Sequence, residues 1–192
     1  MKHALSLIGI CVLAVMFASA PRTRAQAPPA GGAPAAAATI SGDLLKDWTN
    51  LKKTMMDIAD AMPEDKFGYK STEAQRTYGQ QIMHVAGANV MIMKMLGGKA
   101  TPPAMTPDDA KAQKPKADIL KALGDSFDYG IAVIREQTDE TMRQTAQGPP
   151  FMGPSTRARM VYSTIGHCWD IYGQMAVYLR LNGITPPRSR GM

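Results

Sequence analysis

Four stretches of this sequence space their apolar residues alternately four and three apart, and proline or glycine closes three of them. That rhythm lays the side chains along one stripe of an α-helix and does not suit the two-residue alternation of a half-buried strand. The first stripe is Leu44, Trp48, Leu51, Met55, Ile58 and Met62, starting after Ser41 and ended by Pro63. Thr77-x-x-Gln80 opens the second with the residue types of a capping box. Two adjacent rows follow, Ile82, Val85, Asn89, Ile92, Leu96 and His84, Ala88, Met91, Met95, until Gly97-Gly98 stops the helix. A third helix from about Lys116 to Gln137 aligns Leu120, Leu123, Phe127, Ile131 and Ile134. A short amphipathic piece from Asp139 to Ala146 and a turn-rich GPPFMGPS separate it from the last helix. Ser155 is the expected cap there, Val161, Thr164, Cys168, Ile171, Met175 and Tyr178 form the stripe, and Gly183 and Pro186-Pro187 end it. No strand-like alternation is sustained and no repeat of ~20–50 residues is visible. The pattern predicts an all-α four-helix bundle over residues 41–187, with 188–192 as a tail.

A chain of 192 residues has room for one such domain. Aromatic content is 6% while methionine reaches 15 residues, which points to a core of Leu, Ile, Val, Ala and adaptable Met. Met1 to Ala20 has a short basic start at Lys2 and His3, then the apolar run LSLIGICVLAVMFASA. The run is shorter than the ~20 residues a bilayer span needs, so it reads as a secretory signal that is removed, with a retained anchor as the alternative. The preferred cleavage follows Ala25, making residues 1–25 signal and 26–40 an Ala/Pro-rich disordered linker, in which eight of the fourteen residues from Ala25 to Ala38 are alanine. The expected location is exported, periplasmic or extracellular in a bacterium, with no stable membrane insertion after cleavage. Loss of Lys2, Arg22 and Arg24 takes the 22 basic residues to 19 against 16 acidic ones, so the formal charge falls from +6 to +3. The remaining charges are mixed in sign along the chain, which argues against nucleic acid as a partner. Cys11 leaves with the signal, and Cys168 alone forms no intrachain disulfide.

His84 and His167 both fall on interior or near-interior faces of long helices. Helix bundles build metal sites by projecting imidazoles and carboxylates inward from facing helices, and neutral imidazole suits Zn, Ni or Fe. The bland alternative is a pair of unrelated core histidines held by hydrogen bonds. Cys168 lies ~100° round the helix from His167 and is better placed for packing than for sharing its ion. Met91, Met93 and Met95 read as core packing rather than a copper site, and Tyr172 and Gln174 are candidates for the mouth of a cavity between the helices.

The segment DAMPEDKFGYKSTEAQRTYGQQIMHVAGAN, Asp60 to Asn89, resembles the first-loop and second-helix signature of the DinB-like (damage-inducible B) four-helix bundle superfamily, including its secreted bacterial members. HCWDIYGQMAVYLRLNGITPP, His167 to Pro187, is similar to that family's last helix and terminus. The resemblance implies a three-histidine metal site, one ligand from the second helix and two spaced H-x-x-x-H on the last. His84 and His167 match the first two positions, and the third falls on Ile171, which cannot bind a metal. Asp170, three residues after His167, is the candidate substitute, giving a metal set of His84, His167 and Asp170; a solvated or supporting carboxylate is its other reading. The resemblance also allows hydrolase or thiol-transferase chemistry. Beside it stands a non-enzymatic exported bundle that binds a small apolar ligand or self-associates as a homodimer. No GxSxG elbow, Walker loop, HExxH or Cys-x-x-Cys is present.

Overall fold

Thr39 starts the first helix, its hydroxyl oxygen accepting from the Gly42 N–H at 3.0 Å in this computed structural model, which describes residues 38–105 and 114–191. The signal, most of the linker and residues 106–113 lie outside the described residues. Helix α1 (Ile40–Asp60) therefore begins at Ile40 rather than after Ser41. A 3₁₀ turn (Glu64–Lys66) leads to α2 (Tyr78–Leu96), followed by α3 (Lys116–Arg135), the short α4 (Asp139–Arg143), strands β1 (Thr145–Gln147) and β2 (Pro154–Thr156), and α5 (Arg157–Leu181). The four long helices pack in a ring, α1 on α3, α3 on α2, α2 on α5 and α5 on α1, so α1 and α2 are diagonal.

The predicted stripes explain this ring. Trp48, Leu51, Met55, Ile58 and Met62 are all buried, as are Val161, Thr164, Cys168, Ile171, Met175 and Tyr178. Burying an apolar side chain of this size contributes ~1.5–3 kcal/mol, set against the entropy of ordering it. Trp48 packs against Phe127 with ring centroids 5.1 Å apart and planes tilted by 50°, and donates from Nε1 to the Phe127 carbonyl at 3.0 Å. The Tyr78 hydroxyl donates to the Ile58 carbonyl, and that of Tyr178 to the Arg76 carbonyl at 2.9 Å. Burial of these polar groups is offset by such pairing. Asn89 donates to Ser126 Oγ at 3.2 Å and accepts from Cys168 Sγ at 3.5 Å, a link across α2, α3 and α5.

The capping box of α2 forms as predicted, with Gln80 N–H donating to Thr77 Oγ1 at 3.2 Å and Thr77 N–H donating to Gln80 Oε1 at 2.9 Å. Other local expectations change. In α3 the inward row is Ile119, Leu123, Phe127, Val133 and Ile134, while Leu120 and Ile131 are half-buried. Of the methionine cluster only Met93 is core; Met91 is exposed and Met95 half-buried. The turn-rich interruption is a small antiparallel hairpin, Ala146 opposite Ser155. Ser155 is buried in β2, and Thr156 caps α5 by accepting from Arg159 N–H at 3.2 Å. A three-residue strand is too short to show periodicity, which is why it was illegible.

Candidate functional site

His84 sits on α2 one turn beyond the capping box, and His167 sits mid-way along α5. The packing of α2 on α5 brings the two imidazoles together, centroids 5.0 Å apart and ring planes at 86°. Both side chains are half-buried. Burial holds the His84 imidazole down to about 4 from its ordinary 6.5, with the charges of Arg76 and His167 adding to the effect. Burial also lowers His167, opposed by Asp170 and reinforced by Arg76. Near neutral pH both rings are therefore uncharged, each with one N–H and one lone pair. His167 Nε2 is buried without a hydrogen-bond partner, one of three such side-chain atoms among the described residues, with Gln81 Oε1 and Tyr172 Oη.

Asp170 is exposed one turn along α5 and accepts from Gln174 Nε2 at 3.1 Å, while Gln174 Oε1 accepts from Gln81 Nε2 at 2.7 Å. The carboxylate is thus anchored to a glutamine pair bridging α5 and α2. Ile171 is only 3% exposed and packs in the core. Among the described residues no three His, Cys, Asp or Glu are grouped to hold an ion. Donor type and protonation state suit a borderline divalent ion, but two imidazoles supply fewer protein donors than the three of catalytic zinc centres. Cys168 is buried, and desolvation pushes its thiol up to about 12, so it is an inert core group.

A cavity of about 190 Å³ extends from the imidazole pair between α2 and α5 towards the hairpin tip. Ala88, Met91 and Ile92 line it from α2, Ser163 and Thr164 from α5, and Phe151 and Met152 from the tip. Tyr172 and Gln174 are not in its lining; Tyr172 packs on Trp169 at 5.5 Å between centroids. Sequence reasoning missed Phe151, Met152 and Ser163 as cavity walls. The Pro-Pro-Phe-Met-Gly run signalled a turn, but no spacing rule says which helices a turn will lean on.

A family model of the DinB superfamily matches residues 48–175. Among solved structures, a DinB-like protein of Bacillus cereus superposes with a TM-score of 0.67 at 21% identity, covering 78% of this chain and 96% of that one. A DinB-like protein of Bacillus subtilis gives 0.60 at 14% identity, covering 78% and 99%. No curated protein matches this chain. At those identities the structural likeness speaks for the fold, while the family match spans both histidines and all four long helices in whole or part: the chain belongs to the DinB superfamily.

Proposed function

We propose that this is an exported DinB-like bundle whose functional centre is a divalent-metal site reduced to His84 and His167, with Asp170 as its nearby carboxylate. The observation that carries the reading is the meeting of two neutral imidazoles from facing helices, 5.0 Å apart, with the buried Nε2 of His167 unpartnered. An unmatched buried polar atom costs ~1–3 kcal/mol, and a ligand on that nitrogen relieves it. His84 and His167 would hold a Zn, Ni or Fe ion, and Asp170, steadied by Gln174, would contribute its oxygen through a bridging water. A bound ion contributes Lewis acidity and a lowered pKa for a coordinated water or thiol, the chemistry of a hydrolase or a thiol transferase. The chain's own part is to keep the imidazoles neutral by burial and to set a largely apolar cavity beside them.

Metal analysis of protein purified without an affinity tag tests this. One ion per chain, bound about tenfold or more weakly by His84→Ala, supports it. Metal-free protein whose thermal stability is indifferent to added Zn, Ni and Fe overturns it. Export is supported by the signal-like residues 1–25, and among the described residues no helix is long and apolar enough to cross a membrane. A periplasmic or secreted product beginning near Gln26 is the expected outcome of N-terminal mass analysis.

A specific observation favours self-association as a second reading. The outer face of α5 exposes Tyr162, Trp169, Val177 and Leu181 within an arc of ~120°. A homodimer through this face would shift to monomer in sedimentation runs when Val177→Glu and Leu181→Glu are combined; an unchanged monomer in both proteins removes it.

A further inference from the structure

We propose that the cavity beside the imidazole pair binds an uncharged, ring-sized molecule carrying one polar atom, its ring against Met91, Ile92 and Met152 and its polar atom at His167 or His84. This rests on the reading of the His84–His167 pair as the functional centre and names what that centre receives. Size sets the first limit. The cavity measures about 190 Å³, and an apolar cavity of ~150 Å³ holds benzene, so the occupant has roughly six to eight non-hydrogen atoms.

Charge sets the second limit. None of the side chains lining the cavity is a carboxylate, lysine or arginine. A charged ligand placed here would give up part of its hydration and meet no carboxylate, ammonium or guanidinium in the wall, a cost that a neutral molecule of the same shape avoids.

Polar capacity sets the third. The Thr164 hydroxyl proton is already donated to the Met160 carbonyl at 2.8 Å, which leaves His84, His167 and Ser163 as the side chains of the wall with an N–H or O–H to offer. They gather on the α2–α5 side, while the hairpin tip contributes Phe151 and Met152. A ligand with one hydroxyl or one ring nitrogen matches that asymmetry, and a polyol does not. Met91 and Met152 are flexible walls that can close on rings of different outline. Phe151, 80% exposed at the tip, is a wall residue that reaches solvent, so the cavity is accessible on the hairpin side.

Three compounds of one shape provide the test: benzyl alcohol, benzylammonium and benzoate, titrated near neutral pH into the full chain freed of metal by chelation. Calorimetry gives affinity, and methyl NMR of the methionines reports location. Benzyl alcohol should bind about tenfold or more tightly than either ion, moving the Met91 and Met152 methyl signals and leaving core Met93 in place. Filling the cavity with Ala88→Leu should weaken benzyl alcohol by about tenfold or more, and Met91→Phe provides a second filled variant should the first not fold. Equal affinity for all three compounds, no shift at Met91 and Met152, or affinity untouched in a folded filled variant would overturn the proposal. Zinc titration of the same samples separates the two readings. Benzyl alcohol bound where zinc is not sinks the metal centre and leaves this site standing; zinc bound with no benzyl alcohol does the reverse.

Discussion

At His84 and His167 the decisive property is proton affinity. Folding lowers His84 from 6.5 to about 4 and moves His167 the same way, so between those values the unfolded chain binds more protons than the native one. The sign follows: the contribution is complete above the ordinary histidine value and is lost as pH falls towards about 4. Urea unfolding on either side of this window should show acid destabilisation, with His84 responsible for up to ~3 kcal/mol. His84→Gln should flatten that slope, and an unaltered slope would mean the imidazole is hydrated as in the unfolded chain. Ile171→His would return a third imidazole one turn from His167. Because Ile171 is 3% exposed, the variant without metal should lose ~1–3 kcal/mol to an unpaired buried ring, while zinc affinity rises at least about tenfold. Unchanged zinc affinity would place residue 171 out of reach of any ion on His84 and His167.

Among the elements, α2 and α5 show how much a helix owes to local sequence. The Thr77–Gln80 capping box was legible because its two hydrogen bonds depend only on residues three apart. Thr77→Ala should cost ~0.5–2 kcal/mol in urea unfolding. The α1–α3 contact was half legible. Trp48 and Phe127 lie on predicted stripes, but Gly130 is a notch that only tertiary packing explains. A Cβ there would come within 2.5 Å of the Trp48 indole, so Gly130→Ala should lose ~1–3 kcal/mol through displacement of the ring, outweighing its gain in helix propensity. Loss of the near-ultraviolet signal of Trp48 would accompany it; a more stable Gly130→Ala protein would show that the indole has room to move.

Across the whole molecule, helix ends are closed by residues far away in sequence. Asp139 of α4 accepts from the backbone N–H of Ser41 at 2.9 Å and of Ile40 at 3.1 Å, fastening the start of α1. Lys116 of α3 donates from Nζ to the Asp60 and Met62 carbonyls at 2.7 and 3.0 Å, where α1 has no basic residue of its own in the last turn. Arg157 of α5 donates from Nε to the Leu96 carbonyl at 2.8 Å, closing α2. The hydrogen bonds from Ser41 lead the effects that hold the Asp139 carboxyl below its ordinary 3.8. A depressed carboxyl stabilises the fold above its unfolded value, and that contribution disappears as pH falls through the folded one. Asp139→Asn should therefore speed hydrogen exchange at Ile40 and Ser41 without unfolding the bundle. Protection equal to the parent chain would show that Thr39 alone holds this end.

The sequence by itself determined the four long helices, the stripe each buries in α1 and α5, the box that starts α2 and the family resemblance, because all depend on spacings within about one turn to one helix length. It also placed both histidines near the interior. Only the tertiary structure decided that they stand 5.0 Å apart, that Asp170 is tied to Gln174, and that the hairpin bearing Phe151 and Met152 walls the cavity. Distances between residues dozens of positions apart follow from how helices rotate and slide on packing, and periodicity leaves those freedoms unset.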